Sequence, residues 1–162
     1  MKKAGKAGIL ILFAAFVLAG IVEAVTSITV SGSWSLTIGQ SNLQGGAGSD
    51  LTSTYTSATN QATLSVSGTY SHTWRIDVTR VDTTWHANFH LWVKRTGNGT
   101  SGTGTYSGGT TYLEATTTAQ TFMTGAGDRS GFTLQYQLTG VSTAIPAASY
   151  ATAIRYTIVQ TN

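Results

Sequence analysis

The feature that most constrains the fold is the alternation of apolar and polar residues in several short segments. From Ile28 to Ile38 every second residue is apolar except Gly32, and Ser or Thr fills the positions between them. A period of two residues is that of a β-strand with one buried and one solvated face. Gly32 keeps this phase but removes a side chain, which predicts close approach of a neighbouring backbone or bulky side chain there.

The same alternation returns along the rest of the chain. Further strands are predicted around Leu51–Tyr55, in two parts between Leu64 and Val78, at Trp85–Lys94, near Thr110–Thr117, at Phe132–Leu138 and from Ser149 to Ile158. Loops rich in Gly, Ser and Thr are predicted at 39–60, around the strand at Leu51–Tyr55, and at 97–104 and 125–128. The loop 97–104 is too flexible to order itself without a partner. Seven or eight short strands without helical periodicity predict an all-β, antiparallel, immunoglobulin-like β-sandwich, with a closed barrel as the alternative.

The chain contains no cysteine, so disulfides add nothing to its stability and packing and strand pairing must hold it. Only 9% of the residues are charged, and Thr, Ser and Gly dominate the polar positions. Disorder is not expected, because disordered chains are poor in the aromatic and β-branched residues that are frequent here. Thr in particular suits the half-buried surface of a strand.

The N-terminus has the layout of a secretory signal peptide. Lys2, Lys3 and Lys6 precede an apolar run from Ile9 to Val22, which is shorter than the ~20 residues that a membrane-spanning helix needs. We expect cleavage after Ala24, which makes 1–24 the signal peptide and 25–162 one β-sandwich domain. A retained anchor and a pilin-type leader cut after Gly8 are the alternatives; such a leader normally has Glu where this chain has Phe13.

Removal of this leader leaves a nearly neutral protein. Three of the nine basic residues and one of the six acidic residues lie in it, so the rest of the chain carries a net charge of +1. The remaining basic residues are scattered, whereas nucleic-acid binders cluster them on one face. The sequence therefore predicts a secreted or cell-surface protein that does not bind nucleic acid and, once the leader is removed, does not associate with the membrane.

No pattern predicts an enzyme, a cofactor or a metal site. Five acidic residues remain after the leader, and any five would include a pair, so a glycosidase is not indicated. The match of Gly97–Gly102 to a dinucleotide-binding motif lacks the helix that the motif requires. Asp50 and Asp128 lie in Gly-rich loops, where Asp commonly caps turns.

Trp92 is the residue that most strongly indicates a ligand-binding site. Trp34, Trp74 and Trp85 are in phase with buried positions, whereas Trp92 falls on the solvated face between His90 and Lys94. A large indole at such a position is covered by a loop or a neighbouring subunit, or else it forms a platform for a sugar ring.

The segment Ile28-Thr29-Val30-Ser31-Gly32-Ser33-Trp34 resembles the donor segment of chaperone–usher fimbrial subunits and their spore-coat-protein-U relatives. The ending Tyr150 to Val159 resembles the last strand of those proteins. The chain lacks their cysteine pair and near-terminal Tyr. The resemblance implies strand donation between subunits, with Ile28, Val30, Gly32, Trp34 and Leu36 as the candidate donor residues.

Two functions follow as expectations. The first is an exported structural or adhesive subunit of a filament, pilus or coat, which associates with identical or related subunits by β-strand pairing. The second is an extracellular carbohydrate-binding module that uses Trp92, with Tyr106 or Tyr112, to bind a glycan. The sequence leaves open whether the first strand pairs within its own chain.

Overall fold

A computed structural model describes residues 26–70 and 72–161, so the predicted leader cleavage after Ala24 or Gly8 lies outside the described residues. The described chain is all-β, as the alternation predicts. It forms ten strands and one short 3-10 helix, Gln40–Asn42. In chain order the strands are β1 (Ser27–Ser31), β2 (Thr54–Thr56), β3 (Ala62–Ser67), β4 (Thr73–Thr84), β5 (His90–Arg95), β6 (Thr105–Gly108), β7 (Leu113–Glu114), β8 (Gln120–Ala126), β9 (Arg129–Thr139) and β10 (Ala151–Gln160).

The strands form two antiparallel sheets. The first sheet has the order β1-β3-β9-β5-β7, and β2 also pairs with β9. The second sheet has the order β10-β4-β8-β6. The described residues contain no helix with the length and hydropathy needed to cross a bilayer.

The inner faces of the two sheets share one apolar core. Trp74, Ile76 and Val78 of the second sheet are buried in one cluster with Leu64 and Phe132 of the first. Trp74 is held further by its indole N–H, which donates to the carbonyl of Gly127 at 2.9 Å. The apolar phase read from the sequence therefore identifies the inner faces of β3, β4 and β9.

The first strand is shorter than the alternation predicts. Strand β1 ends at Ser31, and residues 32–39 continue without strand pairing. Gly32 has φ +115°, a conformation that leaves the extended region and that side chains rarely adopt. A turn of the backbone at Gly32 therefore ends the ladder although the apolar pattern continues to Ile38.

The strand predicted at Trp85–Lys94 is wrong in its first half. Strand β4 continues to Thr84 in the second sheet, whereas β5 begins at His90 in the first. Residues 85–89 carry the chain from one sheet to the other through a turn closed by Phe89 N–H donating to the carbonyl of His86 at 3.0 Å. Alternation alone does not reveal a change of sheet, because apolar residues are buried on both sides of such a turn.

Two strands of the second sheet are missing from the sequence-based prediction. Strand β8 includes residues 125 and 126, which were expected to form a connection, and β6 follows the predicted Gly-rich loop. The register of β8 on β4 shifts between Ile76 and Asp77, and both Phe122 and Met123 are buried. Such a bulge breaks the period of two, so the pattern that marks a strand is lost. Conversely, the strand predicted near Thr110–Thr117 shrinks to Leu113–Glu114.

The Gly-rich loop 97–104 is tied to the fold by two arginines. Arg95 is buried and donates to the carbonyls of Gly97 and Gly108 and to Oδ1 of Asn98. Arg129 donates to the carbonyls of Asn98, Gly99 and Gly102. The partners that the sequence leads us to expect for this loop are therefore present within the chain, as the side chains of Arg95 and Arg129.

Candidate functional site

Among the described residues, the longest strand edge without a strand partner belongs to β10. This strand has ten residues and pairs with β4 along one edge; within residues 26–70 and 72–161 no strand pairs with its other edge. Apart from a register shift between Ala151 and Thr152, the pairing with β4 is continuous to Gln160. A row of backbone donors and acceptors is thus left without strand partners.

The direction of the backbone groups of β10 follows from one hydrogen bond. The N–H of Thr161 donates to the carbonyl of Thr73, at the β4 side. Backbone groups alternate in direction along a strand, so the N–H and C=O groups of Ile154, Tyr156 and Ile158 point to the open edge. The side chains of these same residues pack against the core cluster. A strand that paired with β10 would therefore lie directly beside apolar side chains.

An open groove borders the first part of this edge, up to Tyr156, while the hydroxyl of Thr26 donates to Oε1 of Gln160 at the other end. The groove has a volume of about 1180 Å³ and lies between residues 30–38 on one side and residues 141–156 on the other. Its apolar lining includes side chains of both sheets, among them Leu91, Tyr136, Leu138, Ile154 and Tyr156. The two sheets are therefore not fully closed over their core along this side.

Two of the most exposed large apolar side chains lie on the wall of the groove. Val30 is 37% exposed and Leu36 is 40% exposed. Trp34, between them, is partly buried against the core cluster. The wall is thus an extended apolar segment that the fold only partly covers.

Residues 32–34 are held against β3 by Gly32 and Gln61. A Cβ atom at Gly32 would lie 2.5 Å from the carbonyl oxygen of Gln61, which confirms the close approach predicted from the sequence. The side-chain amide of Gln61 donates to the carbonyl of Ser33. The groove therefore begins where the chain leaves the β1–β3 ladder.

The lining of the groove includes an aromatic cluster that the sequence did not identify. Phe89 lies 5.0 Å from Tyr150 and 5.4 Å from Trp85 between ring centroids, both edge to face. The guanidinium of Arg80 lies 5.1 Å above the Trp85 ring. Trp85 was expected in the core as part of a strand; in the structure it is half-buried in the turn.

A pair of tyrosine hydroxyls lies inside the groove. The hydroxyl oxygens of Tyr136 and Tyr156 are 3.3 Å apart and come from opposite sheets. Burial raises the pKa of both phenols, and that of Tyr156 lies well above 10. Both groups therefore stay neutral near pH 7, and the groove contains no anionic group at this point.

Four of the five predicted donor residues, all except Ile28, line this groove in their own chain. Ile28 and Val30 belong to β1, which pairs with β3 of the same chain from Ser27↔Ser67 to Ser31↔Thr63. Gly32, Trp34 and Leu36 follow in the segment without strand pairing. The question left open by the sequence is thus answered for this structure: the first strand pairs internally, and donation to a neighbour stays a prediction.

Trp92 lies elsewhere, on the outer face of the first sheet. It is partly exposed, and its indole N–H donates to Oγ1 of Thr139 at 3.0 Å. Its strand neighbours in register are Gln137 on β9 and Glu114 on β7. Tyr112 lies on the same side, with Nζ of Lys94 4.5 Å above its ring. Tyr106, the other predicted platform, packs edge to face on Phe132 and lies between two arginines.

The two loop carboxylates connect loops to one another. Asp50 accepts hydrogen bonds from the N–H groups of Thr143 and Leu51 and from the hydroxyls of Thr143 and Ser142, which lower its pKa to about 2. Asp128 accepts from Thr69 and Gly68, which likewise lowers its pKa. Both carboxylates thus stabilise turns, as the sequence suggests for Asp in such loops.

Neither the groove nor the outer face could be assigned by similarity, since comparisons with known proteins matched no family model, no curated protein and no solved structure.

Proposed function

We propose that this chain is an exported, non-enzymatic structural or adhesive subunit at the cell surface, which associates with identical or related subunits by strand pairing along β10. The proposal includes removal of the leader and an immunoglobulin-like arrangement of the two sheets. The observation that supports it most is the edge of β10 that no strand pairs with, whose first part, up to Tyr156, borders an open apolar groove.

A free edge of this length is unusual in a protein that stays monomeric. Natural sheets protect their edges with lysines, prolines, bulges or very short strands, because a bare edge is a template for another chain. Strand β10 carries one charged residue, Arg155, and one irregularity near its start. The edge is therefore only lightly protected, which favours a function in which it becomes paired.

The segment 26–38 of a second copy fits this edge best. It contains no charged residue, so its burial carries no charge-desolvation cost. Its apolar side chains alternate, as pairing beside a groove requires. Full burial of an aliphatic side chain contributes about 1.5–3 kcal/mol, so covering the exposed parts of Val30 and Leu36 contributes on the order of 1 kcal/mol each.

Assembly is expected to depend on concentration. The new ladder with β10 contributes about 0.5–1.5 kcal/mol per hydrogen bond, while association costs ~4–15 kcal/mol in lost freedom. A segment 26–38 that leaves β3 of its own chain can pair with β3 of the neighbouring subunit instead. The number of β1–β3 pairings is therefore unchanged in a closed or continuous assembly. The net free energy of association is therefore small for one contact between two subunits, and the total stabilisation grows with the number of subunits.

Arg155 disfavours the simplest alternative, pairing of β10 with β10 of a second copy. The core-facing side chains of both copies lie on one face of the joined sheet only if odd-numbered residues lie opposite odd-numbered ones and even-numbered opposite even-numbered. One of the two most nearly centred registers of this kind places Arg155 opposite its own copy, and the registers on either side of it place the two side chains diagonally. Like charges so placed destabilise a sheet. A charge-free donor avoids this repulsion.

The test is sedimentation velocity of the exported protein over a concentration series. Thr152→Lys places a longer, charged side chain at a residue that lines the groove, and Ser107→Lys places the same side chain on β6, the opposite edge of the second sheet. We expect wild type and Ser107→Lys to assemble and Thr152→Lys to remain monomeric. A wild-type protein that is strictly monomeric at high concentration would contradict the proposal.

A further inference from the structure

On the outer face of the first sheet, Trp92 is surrounded by polar residues that lie in rows across the strands. The register sets Thr54, Thr139 and His90 side by side in one row. The next row contains Thr56, Gln137, Trp92 and Glu114. Gln135 and Lys94 begin a third row, where the hydroxyl of Tyr112 donates to Oε1 of Gln135 at 3.2 Å.

The indole of Trp92 is held by a hydrogen bond and has no further polar atom to which a ligand could bind. Its N–H is a donor only, and it is already hydrogen-bonded to Thr139. A ligand that reaches this residue therefore meets the apolar surface of the ring. Such a surface at a partly exposed position is suited to stacking.

Hydrogen-bonding groups surround this ring. Nδ1 of His90 and Oε1 of Glu114 are 2.6 Å apart, and these side chains are 48% and 29% exposed. Gln137 lies on the other side and donates to Oγ1 of Thr56 at 3.2 Å. Lys94 completes the set, held above the Tyr112 ring. Donors and acceptors that reach solvent are thus arranged around one aromatic centre.

The outer face of the second sheet has no comparable arrangement among its described strand positions. The outward residues of β4 and β10 are small, aliphatic or charged, namely Arg75, Asp77, Thr79, Val81, Ala153, Arg155, Thr157 and Val159. Arg75 and Asp77 satisfy one another in a two-contact ion pair at 2.8 Å. An aromatic residue surrounded by hydrogen-bonding side chains is therefore found on the outer face of the first sheet and not on the described strand positions of the second.

We propose that this face of the first sheet binds a polysaccharide through Trp92. A pyranose ring with equatorial hydroxyls presents an apolar C–H surface to an aromatic ring and a polar rim to the groups around it. The site is the surface of a sheet, with His90 48% exposed and Glu114 29% exposed beside the ring, so it fits an extended, flat polymer better than a single sugar. The surface is separate from the groove at β10, and its ligand does not depend on assembly.

The experiment is co-sedimentation with microcrystalline cellulose and with chitin, both flat polymers with equatorial hydroxyls, and affinity electrophoresis in soluble starch, a coiled one. We expect retention by cellulose or chitin and none by starch. Trp92→Ala should lower the affinity about tenfold or more, as expected for one aromatic contact, and Trp92→Phe should retain most of the binding. Tyr70→Ala is the matched control, since Tyr70 is 71% exposed and lies in a turn.

Two results would overturn this inference: no retention of wild type by either insoluble polymer, or equal retention of Trp92→Ala. Repeating the assay with Thr152→Lys separates the two proposals. Loss of assembly with unchanged retention supports glycan binding by the single subunit, whereas retention that disappears together with assembly would show that the outer face alone does not bind.

Discussion

At the residue scale, the most informative positions are those where the packing of one side chain decides the fold. Trp74 is 1% exposed and lies across Gly125, where a Cβ atom would collide with its ring. Gly125 therefore has to remain without a side chain for the indole to reach the carbonyl of Gly127. The sequence predicts Trp74 as a core residue, and the structure adds the reason for the glycine opposite it.

We expect Trp74→Ala to lower the free energy of unfolding by about 3–5 kcal/mol, because a large buried side chain is lost and a cavity remains. Thr133→Ala is the comparison. Its position is predicted to be solvated, and its hydroxyl lies 2.9 Å from that of Thr96, so its loss should cost at most about 0.5–1.5 kcal/mol. Chemical denaturation measures both. Equal, small effects would show that the assigned register of β4 is wrong.

The pH dependence of stability should depend in part on Asp50. Its pKa is lowered to about 2 in the folded protein from an ordinary value of 3.8, so the hydrogen-bonded carboxylate stabilises the fold above about pH 4. That contribution is lost as the pH falls through about 2. Asp50→Asn should therefore reduce the slope of stability against pH between these values, measured by thermal denaturation at each pH.

Part of the slope should remain in this variant. The pKa values of Asp82 and Asp128 are also lowered, the first mainly by Arg80 and the second by Thr69. An unchanged slope after Asp50→Asn would contradict the role assigned to the contacts with Ser142 and Thr143.

At the scale of elements, sheet pairing is decided by contacts that are distant in sequence. Strand β9 pairs with three strands from different parts of the chain, and β10 pairs with β4 about 75 residues earlier. The elements that follow a regular alternation, β3, β4, β9 and β10, were predictable from sequence. Those interrupted by a bulge or a change of sheet, β8 and the turn at 85–89, were not.

The loop 97–104 provides a prediction at this scale. Arg95→Gln removes most of the hydrogen bonds from the core to Gly97, Asn98 and Gly108, whereas Arg129 keeps its own contacts. We expect faster amide hydrogen exchange across the loop, with little change in the exchange of β3 and β9. Arg75→Gln, which breaks the ion pair between Arg75 and Asp77, is the control. Uniform protection of the loop in both variants would contradict the tethering role of Arg95.

At the scale of the whole molecule, the open side between residues 30–38 and β10 is the feature that most suggests a partner. The sandwich-like pair of sheets shares one core but does not close along this side. Edge β10 is the acceptor in the proposed assembly, and segment 26–38 is the donor. These two parts can be disabled separately, because they are different strands of different sheets.

A mixing experiment uses that separation. A variant lacking residues 26–35 retains the β10 edge but has no donor, and full-length Thr152→Lys retains the donor but has a blocked edge. Neither should assemble alone, and the first should be less stable because its β3 edge is bare. Co-export should give mixed oligomers that restore its stability. If the mixture contains only the two separate species, the first strand serves its own chain alone and donation is wrong.

The sequence by itself determined the all-β class and the buried faces of the regular strands, because a period of two residues allows only one face to leave water. It also marked Gly32 as a point of close approach and Trp92 as an aromatic residue on a solvated face. The tertiary structure alone decided that β1 pairs internally, that residues 85–89 change sheets, and that Phe89 and Tyr150 meet in the lining of the groove. These outcomes depend on contacts between residues far apart in the chain, which a local pattern of polarity does not specify.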